Sequence, residues 1–282
     1  MRQPLWERVV THAILIVASV IAIFPILWVV STSFKNQFDV LSSEVQLIPA
    51  EPTLENYEQL FNPASATGGY FWNWFGNSLL ISVLTTLLSV FLAATAAYAL
   101  SRYRFWGKRP STTFFLVSQM FPAVILLVPL YQLLGIQFRL LNTPWALVLA
   151  YATTAVPFCV LMLRSYFDTL PIELEEAGRI DGLGPFGTFW RIVVPLSTPG
   201  IAVTAFYAFI TAWNEFLFAL VFLSRPEAFT LPIGVRLFIN QFTQNWGGTM
   251  ALSVIVTIPV MAFFYLAQRY LISGLSTGGV KG

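Results

Sequence analysis

Glu175-Glu176-Ala177-Gly178-Arg179-Ile180-Asp181-Gly182, followed a dozen residues later by Val194-Pro195-Leu196, forms a charged insert between two long apolar stretches. The surrounding chain has 282 residues, 57% of them hydrophobic and 10% charged, and its mean hydropathy is +0.73. A soluble domain of this length needs far more polar side chains to cover its core. The chain therefore reads as a bilayer protein, and the insert as one of the few parts that reaches water.

Crossing the hydrocarbon core takes roughly 20 apolar residues in one helix, because backbone N–H and C=O groups find no water there and must pair within the segment. Stretches 9–33, 78–100, 113–134, 145–163, 200–223 and 249–271 meet that length. Basic residues set the orientation, since short loops rich in Lys and Arg stay cytoplasmic. With the N-terminus inside, Arg2, Arg8, Arg102, Arg104, Lys108, Arg109, Arg164, Arg179, Arg191, Arg269 and Lys281 fall on inner segments, against Lys35, Arg139, Arg225 and Arg236 on outer ones. Both termini and the insert are expected in the cytoplasm, with 35–72 and 224–248 on the other side. The first span is too long for a secretory signal and lacks a small-residue cleavage pattern after it, so it is expected to be retained.

Catalytic chemistry has little material. His12 is the single histidine and Cys159 the single cysteine; no disulfide can form within the chain, and Cys159 reads as a small buried side chain. No zinc, redox or nucleophile-elbow pattern occurs, and no phosphate-binding loop, so no catalytic or metal-binding residue is assigned and ATP hydrolysis is not expected of this chain. Gly182-Leu183-Gly184-Pro185-Phe186-Gly187 matches G-x-G-x-x-G letter for letter. That pattern has meaning only between a strand and a helix of a parallel β-α-β unit, whereas a charged helix precedes it here and a membrane span follows.

The insert reads as two short helices at a bend. Pro171 suits a first helical turn, Glu173, Glu175 and Glu176 complement the positive end of the helix dipole, Arg179 suits the other end, and Gly182 supplies a left-handed residue after the last turn. A second helix then starts at Pro185. Ile180, Leu183, Phe186 and Phe189 are expected to pack inward, leaving Ala177 and Gly178 as a small-residue surface for a partner.

By charge alone this is a solvated loop. Its spacing is more specific. Glu176-Ala177-Gly178, then Asp181-Gly182, then Ile192 with Pro195-Leu196 closely resemble the cytoplasmic EAA loop of ATP-binding-cassette importer permeases. Trp213-Asn214-Glu215-Phe216, Gln268-Arg269, Gly274-Leu275 and the terminal Gly278-Gly279-Val280-Lys281-Gly282 resemble the shorter permease subunit of carbohydrate importers, the maltose type in particular. One departure is Gly178, where the family has a second alanine; glycine weakens a helix by up to about 1 kcal/mol relative to alanine.

The resemblance implies an all-α membrane protein of six transmembrane helices, with the type I importer permease fold and a cytoplasmic coupling helix. Residues 1–72 would hold the first span and an extracytoplasmic loop, 73–271 the permease core with its EAA loop at about 168–196, and 272–282 a cytoplasmic tail. The implied partners are a second homologous permease, two ATPase subunits that bind ATP and Mg, an extracytoplasmic solute-binding protein, a sugar and membrane lipid, with no nucleic acid. The implied site is a bacterial or archaeal cytoplasmic membrane. Glu175, Glu176, Ala177, Gly178, Asp181 and Gly182 carry over as ATPase-coupling positions, and the tail either contacts the ATPase interface or frays as a terminus.

Glu215 is the one acidic residue within the stretches above. A carboxylate in hydrocarbon is costly, so it should face protein or water alongside Asn214, either as a structural partner or as pathway lining. Tyr151, Thr153 and Thr154, with Ser118 and Gln119, offer hydroxyls and amides to a sugar, although polar side chains also hold helices together. Segment 225–248, with Phe229-Thr230-Leu231-Pro232 and 241–246, is the expected contact for a binding protein. An ion-driven secondary transporter is the alternative; it would usually carry paired repeats with broken helices and more intramembrane charge.

Overall fold

The computed structural model describes residues 4–42, 46–64, 68–237 and 245–278, and every regular element among them is helical. Four helices are long and apolar enough to cross a bilayer unaided: Leu5–Ser33, Phe71–Arg102, Pro144–Phe167 and Trp246–Tyr270. Two further pairs of helices reach that length only when taken together, and each pair is bent. Lys108–Ser118 meets Ala123–Gln137 at 103°, and Pro185–Leu196 meets Thr198–Trp213 at 79°.

Four unbroken helices and two bent pairs accommodate the six expected spans, with breaks that apolar length alone did not announce. The stretch 113–134 breaks where Pro122 takes an extended conformation (ψ 129°), since proline brings no N–H and disfavours helix at the residue before it. The stretch 200–223 divides at 214–216 into Thr198–Trp213 and Leu217–Phe222. The bend at Ser197, just before that stretch, is flanked by Pro195 and Pro199. The last helix continues to Gly278, beyond the expected end of the span at 271. Residues 241–244 of the outer segment and the final 279–282 lie outside the described residues.

The chain divides into two compact units, Met1–Phe71 with Gly234–Pro259 and Trp72–Ile233 with Val260–Gly282. In the first unit, the buried Asn56 amide donates to the carbonyls of Ser33 (3.0 Å) and Lys35 (2.8 Å), closing the exit from the Leu5–Ser33 helix. Lys35 is itself buried; its ammonium donates to the Gln46 carbonyl and lies 4.8 Å from the Trp28 ring centre.

The second unit is built on the Pro144–Phe167 helix. Ala146, Leu147, Ala150 and Tyr151 join one core cluster with Phe218, Ala219 and Phe222; Ala155, Cys159, Leu163 and Phe167 join another with Ala93, Ala97 and Ala208. Small side chains at these crossings let helix backbones approach closely, the packing that operates where lipid offers no hydrophobic contrast. Away from the insert, Asn142 takes a left-handed φ of 59°. Its side-chain oxygen accepts from the N–H groups of Ser224 (2.7 Å) and Arg225 (3.1 Å), which fixes the turn after Phe222.

Candidate coupling site and pathway

The insert folds as the Glu173–Ile180 helix, beginning two residues after Pro171 with three acids in its first turn and Arg179 in its last. Gly182 ends it with φ +87°, the left-handed conformation expected from the sequence. The Gly182 N–H donates to Arg179 O (3.1 Å) and the Leu183 N–H to Gly178 O (2.9 Å), the paired hydrogen bonds of a Schellman stop. The next helix starts at Pro185, as expected.

The inward face is the expected one only in part: Phe189 is buried and Leu183 packs on Gly178, but the other two expected residues face out. Ile180 and Phe186 are 87% and 77% exposed, while Glu175 and Gly178 are buried. Gly178 faces Ile192 and Leu183: a β-carbon there would collide with Ile192 Cδ1 and lie 3.3 Å from Leu183 Cδ1. The small residue thus admits Ile192, and the outer surface consists of Glu176, Ala177, Arg179, Ile180, Asp181, Gly182 and Phe186. Helical periodicity explains the correction: Glu175 and Gly178, three apart, share one face, and the charge on Glu175 is matched from within the protein.

That match is Arg102, at the end of the Phe71–Arg102 helix. Its Nε lies 2.5 Å from Glu175 Oε1, with the two side chains 7% and 4% exposed. The same guanidinium donates to Leu170 O (3.1 Å) and to Ser101 Oγ (3.0 Å), and Ser101 Oγ donates to Asp168 Oδ1 (2.5 Å). Tyr98 OH donates to the other Glu175 oxygen at 2.9 Å, and its ring packs on Phe189 at 4.9 Å between centroids. Arg102 reaches Glu175 through Nε alone, but with its other nitrogens and the second carboxylate oxygen also held, this charge-assisted network fixes direction as well as distance. Sequence reasoning missed Tyr98, Ser101, Arg102 and Asp168 because Arg102 serves equally well as an ordinary positive-inside residue; its partner lies 73 positions on.

Glu215 occupies the separate break at 214–216, between Thr198–Trp213 and Leu217–Phe222. Its carboxylate accepts from the N–H groups of Phe218 (2.9 Å) and Ala219 (3.2 Å), the first turn of Leu217–Phe222. Unpaired N–H groups and the positive helix end stabilise the charge there. The buried Tyr151 hydroxyl makes no hydrogen bond, and its ring lies 6.4 Å from that of Phe218, whose N–H Glu215 caps. The structure therefore places Tyr151 beside the short helix that Glu215 caps. Asn214 is exposed, its amide donating back to Ile210 O (3.0 Å). Thr153 and Thr154 donate to the carbonyls of Ala150 (2.7 Å) and Tyr151 (2.9 Å) within their own helix. Ser118 donates to Phe115 O (2.9 Å) at the elbow of the bent pair Lys108–Ser118 and Ala123–Gln137, with Gln119 exposed beside it.

Residues 89–277 match the family described as binding-protein-dependent transport system inner membrane component. The chain belongs to that family. Over 263 residues it is 39% identical to the inner membrane ABC transporter permease protein YcjP of Escherichia coli (strain K12), covering 93% of this chain and 92% of that one. It is 36% identical over 283 residues, with full coverage of both chains, to the trehalose/maltose transport system permease protein MalG of Thermococcus litoralis. The fold matches a chain in the crystal structure of a bacterial ABC transporter involved in alginate import, with TM-score 0.81, 22% identity and coverage of 96% and 99%. The protein is a multi-pass inner-membrane permease of the carbohydrate ABC importer class. Among its described residues no group of His, Cys, Asp and Glu could hold a metal.

Proposed function

We propose that this permease is one of two homologous permeases in an importer completed by two ATPase subunits and an extracytoplasmic solute-binding protein, and that it carries an oligosaccharide of the trehalose/maltose class inward. ATP and Mg belong to the ATPase subunits. The insert, both termini and the Arg102–Arg109 loop face the cytoplasm in this reading, which rests on the distribution of Lys and Arg.

The observation that carries it is the burial of Glu175 against Arg102. Nucleotide can shift a two-state equilibrium only through contacts that differ between the states, so the work of ATPase closure must enter through an element that cannot swivel freely. The insert helix has that character: a Schellman stop fixes one end, the Arg102–Glu175 ion pair ties its inner face to the Phe71–Arg102 span, and Glu176, Ala177, Ile180 and Phe186 remain outside for a partner. The six coupling positions then divide in role. Glu175 and Gly178 transmit, Glu176, Ala177 and Asp181 meet the ATPase, and Gly182 shapes the turn. An ion-driven transporter is disfavoured because Glu215, the one acidic residue within the apolar stretches of the sequence, is tied to backbone N–H groups. Vesicles reconstituted with the whole assembly test the proposal: sugar should accumulate only with ATP inside and binding protein outside, and accumulation on an ion gradient without ATP would overturn it.

A further inference from the structure

The loop after the Phe71–Arg102 span gathers positive charge and aromatic surface in a way that coupling does not use. A recess of about 420 Å³ lies between the start of the Lys108–Ser118 helix and the Arg164 end of Pro144–Phe167, lined by Phe105, Trp106, Lys108, Arg109, Thr112 and Arg164. Two of its three cations are held in place by neutral groups. The Lys108 ammonium donates to Tyr103 O (3.2 Å) and Ser101 O (3.5 Å), and Arg164 Nη1 donates to Thr112 Oγ1 (2.8 Å). These partners orient the charges without cancelling them. The nearest carboxylate, Asp168, is half exposed and stands 3.7 Å from Arg164 Nε, while its other oxygen is taken by Ser101. Lys108 and Arg109 also sit in the first turn of their helix, with no acid there, where the dipole opposes positive charge.

Asp168 offsets the Arg164 charge only, so Lys108 and Arg109 leave the recess net positive until an anion occupies it. The depth of the recess selects the kind of anion. Both flanking spans end here, and Pro144–Phe167, at 24 residues, is about 36 Å long, a little more than the roughly 30 Å hydrocarbon core. Its last turn, with Arg164, therefore stands at headgroup level. Trp106 is 99% exposed and Phe105 45%, aromatic rings of the kind that settle at the membrane interface. Basic pockets between spans at that level suit lipid phosphates.

We propose that this recess binds the headgroup of an anionic phospholipid, with Arg109 and Arg164 on the phosphate, Lys108 framing it and Trp106 lying along the acyl-chain boundary. The proposal rests on the membrane assignment and not on the transported sugar or the ATPase, so its test leaves those untouched. The purified full-length chain is exposed to phosphatidylglycerol or phosphatidylcholine in detergent, and retained lipid is counted by native mass spectrometry. Phosphatidylglycerol should be retained preferentially. Arg109→Gln should weaken retention about fivefold for the one charge lost, and Arg109→Gln with Arg164→Gln should abolish the preference. Trp106→Ala should weaken retention of both lipids, and because Trp106 and Arg109 are exposed those two substitutions remove no buried contact. Arg8→Gln, an exposed cation elsewhere on the chain, should change nothing. Equal retention of the two lipids, an unchanged preference in the double variant, or an equal loss in Arg8→Gln would overturn the site. Displacement of the lipid by millimolar inorganic phosphate would overturn the lipid assignment in favour of a soluble anion.

Discussion

A carboxylate at membrane depth is tolerable at Glu215 because two backbone N–H groups and a helix end face it. Glu215→Gln keeps an acceptor and should leave assembly near normal. Glu215→Leu strands the buried N–H groups of Phe218 and Ala219, at about 1–3 kcal/mol each, and should lower the yield of assembled complex. If the group also lines the pathway, Glu215→Gln will change uptake kinetics at normal yield; full yield with Glu215→Leu would refute the capping role. At Gly182 the left-handed φ costs an L-residue about 1–2 kcal/mol, and a β-branched one more. Gly182→Val should thus keep the spans inserted yet lose ATP-driven uptake or release the ATPase, with Gly182→Asn much milder; normal uptake by the valine variant would remove the argument. Gly178 poses a different question, since alanine would gain up to about 1 kcal/mol of helix propensity but strike Ile192 Cδ1. Ile192→Val deletes that methyl. Gly178→Ala should therefore be more favourable, by about 1 kcal/mol in thermal unfolding of the permease, in the Ile192→Val background than alone, and simple additivity would show that the two do not touch.

At the scale of elements, the Arg102–Glu175 pair joins two helices that the sequence separates by an entire transmembrane hairpin. Removing one partner from a buried ion pair leaves a charge without compensation, at about 3–5 kcal/mol. Arg102→Gln should sharply lower the yield of folded permease, and Glu175→Gln, which keeps hydrogen bonds to Tyr98 and Arg102, should do so less. Replacing both, as Arg102→Met with Glu175→Leu, should restore yield, because apolar pairs often substitute for buried ion pairs without loss of stability. In the proposed mechanism the doubly substituted protein still fails to convert ATP hydrolysis into uptake, since apolar contact fixes no direction. Recovery of both yield and uptake would reduce the pair to packing.

At the scale of the whole molecule, orientation is the property to test. Cys159 is fully buried, so the native chain should give little background with a membrane-impermeant thiol reagent. Ile48→Cys, at an 84% exposed position, should label in intact cells, and Trp106→Cys only after permeabilisation; the reverse pattern would invert the topology. The sequence by itself determined the setting and most of the crossings, because apolar length and the placement of Lys and Arg are summed along the chain and need no partner. It also determined the turn at Gly182 and the start at Pro185, since a left-handed glycine and a proline in a first helical turn are local backbone chemistry. Only the tertiary structure decided which face of the insert turns inward: Ile180 and Phe186 look like core residues in sequence, yet the buried positions went to Glu175 and Gly178, whose partners Arg102 and Ile192 lie on other elements. It likewise decided that Glu215 is a cap and not a free charge, because the break that exposes the N–H groups of Phe218 and Ala219 arises where no proline announces it, and the carboxylate that satisfies them is visible only once the chain is folded.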